Sequence, residues 1–123
     1  MSYAEKHAVA LTTDGSGDVT AYTPAVTGQI AALIYTKTDF ADGVDFTITL
    51  EESGETVWTE TDVNAAKTVA PRQASHSTAG VAALYAAAGE AVLVPIHAAN
   101  DRVKIVVASG GAVKTGTITV IVA

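Results

Sequence analysis

VDFTITL, residues 44–50, decides the fold class. Val44, Phe46, Ile48 and Leu50 alternate with Asp45, Thr47 and Thr49, a period of two that sends successive side chains to opposite faces of a strand. One face is apolar and the other polar, the pattern of an antiparallel strand with one side against a core. ESGE (52–55) supplies turn residues, and ETVWTET (55–61) reads as the returning strand of a hairpin.

The same signals continue on either side. HAVAL (7–11) and VTAYTP (19–24) flank TTDGSGD, a stretch of turn formers. In GQIAALIYTKTD (28–39), Ile30, Ala32 and Ile34 can face one way while Ala31, Leu33 and Tyr35 face the other. A strand apolar on both faces is expected at the centre of a sheet or in an interface. DRVKIVVAS (101–109) places Val103, Ile105 and Val107 together, SGGAVKTG (109–116) makes a connection, and TGTITVIVA (115–123) closes with Ile118, Val120 and Val122 on one face. About seven or eight short strands parted by Gly, Asp and Ser turns predict a single all-β domain over residues 1–123. The expected form is an antiparallel β-sandwich or partly closed β-barrel.

Composition narrows the function classes. The 123 residues suit one domain with one modest core, with a folded surface of roughly 6,000 Å² by area scaling. Hydrophobic residues make up 49% and charged residues only 16%, which means either that part of the surface meets a partner or that alanine and valine inflate the hydrophobic share. Seven basic residues against thirteen acidic ones give a formal charge of −6. The basic residues are scattered, which argues against binding nucleic acid through its phosphates. The absence of cysteine excludes disulfides, thiolate nucleophiles and Cys-ligated zinc. MSYAEKHAVAL is too short and polar for a signal peptide, and no apolar run approaches a membrane span. Synthesis and folding in a cytoplasm are expected.

Sites for chemistry are sparse. DGSGD (14–18) offers Asp14, Ser16 and Asp18 at alternate positions, like the start of a calcium loop, but the position expected to hold the bidentate glutamate is Ala25. DFADGVD (39–45) offers Asp39, Asp42 and Asp45 in a turn entering a strand, so neither cluster predicts a metal. His7, His76 and His97 lack paired-ligand spacing, and Ser75 beside His76 is no triad because neighbours in extended chain face apart. SGGAVKTG lacks the phosphate-loop pattern and precedes a strand rather than a helix. The expectation is therefore no enzyme, no metal and no cofactor.

RQASHSTAGVAALYAAAGEAV (72–92) fits none of these patterns. Alanine propensity, Ser77 or Thr78 as N-cap and Gly89 as stop would suit a short helix; Gly80 and the brevity of the run would suit a loop. Residues 76–88 are thus expected to form an Ala-rich loop or short helix. Its functional reading is an intersubunit arm: small residues allow close approach, and Val81, Leu84 and Tyr85, with His76 beside them, are candidate interface residues. Folding across an open end of the sandwich is the alternative.

TTDGSGDVTAYTP, IYTKTDFADGVDFTITLE, TDVNA and the tail from YAAAGEAVLVPIHAANDRVKIVVASGGAVKTGTITVIV together resemble small cysteine-free proteins encoded in the structural modules of tailed bacteriophages. The likeness spans nearly the whole chain, though none of these stretches is a mechanistic motif. It implies a virion component made in the host cytoplasm, foremost a capsid decoration protein, homotrimeric and seated on the major capsid protein. A head-fibre base, a tail or connector part, or a carbohydrate-binding module remain alternatives, the last resting on Tyr22, Tyr35, Trp58 and Tyr85 as candidate aromatics.

Overall fold

The computed structural model describes residues 4–123; the first three residues of the stretch weighed as a leader lie outside them. Among the described residues ten strands form: β1 (Glu5–Thr12), β2 (Val19–Tyr22), β3 (Val26–Lys37), β4 (Val44–Leu50), β5 (Thr56–Val63), β6 (Lys67–Val69), β7 (Arg72–Ala74), β8 (Leu93–Asp101), β9 (Val103–Ala108) and β10 (Thr115–Val122). They build two antiparallel sheets packed as a sandwich. The larger has the order β1-β10-β3-β8-β7, with β6 also pairing β3; the smaller is β2-β9-β4-β5. Among the described residues no helix is long and apolar enough to cross a membrane.

Seven of these match stretches read as strands; β6 and β7 escape that reading because three residues are too few for alternation to show, and β8 because Pro95 interrupts a run apolar on both faces. β3 is central, as its two apolar faces predict: it pairs β10 along one edge, and β8 and β6 share the other. Its facing differs from simple alternation. The register with β10 shifts beside Val122, pairing Ile121 with Ala32 but Val122 with Ile30, and the bulge turns Ile30, Leu33 and Tyr35 inward and Ile34 outward.

The core lies between the sheets. Val44, Phe46, Ile48 and Leu50 meet Val103, Ile105 and Val107 from the small sheet, opposite Ile118, Val120, Leu33 and Ile96 of the large one, all essentially solvent-free. Aromatic rings run through it: Tyr35 meets Phe46 edge-on at 4.7 Å between centroids, and Phe46 stacks on Trp58 at 5.4 Å. Phe40 closes one end of the core against Gly116, where an added Cβ would come within 2.6 Å of the ring. At that end, three connections are tied by backbone bonds from Gly110 to Gly17, Ala41 to Gly110 and Val113 to Asp14.

Outside the sandwich, the face of β1, β10 and the end of β3 carries Lys6, Ala8, Ala10, Thr117, Thr119, Ile121, Ala32 and Ile34 by register. Among the described residues, Lys6 is the single charged side chain in that set.

Candidate functional site

The long β7–β8 connection, residues 75–92, is where the molecule departs from a plain sandwich. Ala74 still pairs with Leu93, after which the two strands part and residues 82–84 lie between them. Ser75 N–H donates to the Val92 carbonyl at 2.8 Å, Ala83 N–H to Ser75 at 2.7 Å, and Val92 N–H to Ala83 at 2.9 Å. The bridges His76 to Ala82 and Leu84 to Ala91 extend this arrangement on either side. The result is a bonded arm with two isolated bridges and neither strand nor helix of its own, which settles the open choice between loop and helix in favour of the loop.

Local chemistry explains why alanine propensity loses. The turn from Ser77 to Gly80 closes with Gly80 N–H donating to Ser77 at 2.9 Å, and the Ser77 hydroxyl oxygen accepts from Ala79 and Val81 N–H, a local alternative to helix. Gly80 takes a φ of +78°, outside the helical region. A second turn, Ala86 to Gly89, leaves only Val81 to Ala88 between glycines, far below the dozen or so residues an isolated helix needs.

The arm does not bury its large side chains. Val81 is 64% exposed, Leu84 45%, Tyr85 77%, and Leu93 at the arm's root 55%. Only two other large hydrophobic residues among those described are exposed, Tyr22 and Val113. All four expected interface residues, His76, Val81, Leu84 and Tyr85, thus fall on one exposed feature. Leu93, exposed beside them, was not singled out from the sequence; its signal is that Leu93 and Pro95 share the face opposite Val94, Ile96 and Ala98. Glu90 is the sole charged residue from 75 to 92.

The acidic candidates are engaged elsewhere. Asp14 Oδ1 accepts from Ser16 N–H at 2.8 Å and Asp18 N–H at 3.1 Å; the Asp18 bond, then that of Ser16, holds the Asp14 carboxyl below its usual range. Asp39 accepts from Thr115 N–H at 2.5 Å and its hydroxyl at 3.0 Å, which lowers its pKa likewise. Asp42 pairs with Lys37, and Asp45 accepts from Asp62 N–H at 3.0 Å. Among the described residues no three His, Asp or Glu side chains gather where a metal ion could be held.

The histidines stand apart. His7 faces inward on β1, its Nε2 lying 3.3 Å from Glu5 Oε2 without hydrogen-bond geometry. His97 borders an open groove of about 420 Å³ with Leu50, Glu52, Ser53, Glu55, Ala99 and Asp101. Asp101 there is buried, and its two oxygens accept Glu52 N–H at 2.9 Å and Ser53 N–H at 3.2 Å, stapling the β4–β5 turn. The candidate aromatics form no common platform: Tyr35 is 1% exposed, Trp58 packs on the core, and Tyr22 lies beneath the Arg102 guanidinium at 4.1 Å. By strand register Tyr22 belongs to the end of the sandwich opposite the arm. Neither a protein-family model nor a curated protein matches the chain in sequence, so function is read from its own residues.

Proposed function

We propose that this chain is a structural protein of a tailed-bacteriophage virion, a capsid decoration protein that binds the major capsid protein and acts by assembly rather than catalysis. The observation that carries the reading is the concentration of Val81, Leu84, Tyr85 and Leu93, all exposed, on one arm of a tightly bonded sandwich. Apolar side chains held out on a hydrogen-bonded scaffold lose little conformational freedom on docking, and Tyr is among the residues that most often anchor interfaces. A net charge of −6 keeps free protomers apart in the host cytoplasm, while the nearly uncharged arm limits repulsion where contact is made. The resemblance to phage structural-module proteins supplies the setting, and a homotrimer matches the three-fold positions of a head lattice. The separation of Tyr22 from Tyr85 speaks against a carbohydrate platform.

Virions of the encoding phage, separated into heads and tails and probed by mass spectrometry, test this. The protein is expected in many copies with the heads. Its recovery with tails, or its absence from virions, would overturn the assignment.

A further inference from the structure

The partner of the arm can be specified further, on the reading of the chain as a self-assembling structural protein. We infer that the arm of one copy seats on the outer face of the large sheet of a second copy, head to tail, so that the subunits close into a ring.

Two charge patterns point to this face. In a chain of thirteen acids, the outer face of β1, β10 and the end of β3 presents Ala8, Ala10, Ala32, Ile34 and Ile121 with no carboxylate among them. Lys6 is the charged side chain among them by register, Asp39 reaching the same face only at its far end, where it accepts from the Thr115 hydroxyl, and the one charged side chain of the arm is Glu90. A neutral apolar arm with a single negative charge thus meets the end of the sheet face that carries a positive one. Two arms brought together would instead oppose Glu90 with Glu90, a like-charge contact. Small residues on the sheet let the bulky Tyr85 and Leu84 approach, whereas Ile34 and Ile121 remain only partly covered within the protomer.

Area favours the same geometry. Four side chains exposed as these are offer on the order of a few hundred Å², short of the roughly 800 Å² that each partner contributes to a standard interface. An arm-to-arm dimer buries that patch once per subunit. A ring buries two different patches per subunit, the donated arm and the receiving face, and closure satisfies both.

Disulfide trapping tests the contact cleanly because the chain has no cysteine of its own. Ala8→Cys and Tyr85→Cys proteins, each checked for a wild-type circular dichroism spectrum, are oxidised alone and as a mixture. The expected result is a cross-linked dimer in the mixture and none from either protein alone. Cross-linking of Tyr85→Cys by itself, or no mixed product, would overturn the arm-to-face contact. In sedimentation, Lys6→Glu and Glu90→Lys are each expected to weaken self-association roughly tenfold, and the double variant to recover most of it; no recovery would refute the pairing. A wild type that decorates heads as isolated monomers would refute the ring and spare the decoration reading, while a ring recovered only with tails would do the reverse.

Discussion

Tyr35 fills the centre of the core with its ring, yet its hydroxyl is buried without a hydrogen-bond partner. Burial first, and the Asp42 carboxylate second, push its pKa above the usual tyrosine value of 10.0. A raised acid pKa gives stability that is complete below the unfolded value and is lost as pH rises beyond it, because only the unfolded chain then ionises. Tyr35→Phe is therefore expected to flatten the loss of stability above pH 10 and, by removing an unsatisfied polar atom, to gain on the order of 1 kcal/mol at neutral pH in denaturant unfolding. A loss there would mean that the hydroxyl has a partner in solution. Asp39 has the opposite sign. Its pKa is held below 3.8 by the Thr115 backbone and hydroxyl, so its contribution is present above that pH and fades as pH falls through the lower folded value. Asp39→Asn is expected to lessen the acid-side dependence of melting temperature while leaving the alkaline limb alone. Gly116→Ala tests close packing: the new Cβ meets the buried Phe40 ring, and a destabilisation of about 1–3 kcal/mol is expected by calorimetry.

At the scale of elements, how much could be read depended on contrast between faces. Residues 44–50 alternate apolar with polar, so a period of two was legible and the strand formed with those four side chains buried. β3 could be recognised as central for the opposite reason, but an apolar run on both faces carries no mark of register, and the bulge that reassigns Ile34 to the outside left no local signature. β6 and β7, on either side of Ala70-Pro71, are too brief to show a period. The arm was legible as an exception rather than as a shape: its alanines favour a helix by propensity, while Ser77, Gly80 and Gly89 supply turns. Leu84 and Tyr85 stood out in the sequence and are exposed, whereas the exposed Leu93 was hidden inside a strand whose two faces are both largely apolar. Because Ala74 and Leu93 are already paired, replacing residues 75–92 with a two-residue Asn-Gly turn should leave the sandwich folded. A dispersed amide NMR spectrum with the other strands unchanged is the expected outcome; a collapsed spectrum would show that the arm is part of the core.

Across the whole molecule, the two sheets share one hydrophobic core and their loops are tied by backbone bonds, while no residue from 75 to 92 belongs to that core. The surface of 6730 Å² is close to the roughly 6,000 Å² expected for a single compact chain of this mass. The proposed function divides the labour: the sandwich provides stability and the arm provides association. The two functions separate in one measurement on the Leu84→Ser, Tyr85→Ser double variant, with mass read by sedimentation and stability by denaturant unfolding of the same samples. Exposed anchors truncated at an interface often cost on the order of 2 kcal/mol each in association, so the account predicts loss of the oligomer with protomer stability changed by less than about 1 kcal/mol. An oligomer that survives while the protomer loses several kcal/mol, as a cavity in a core would cause, would contradict it.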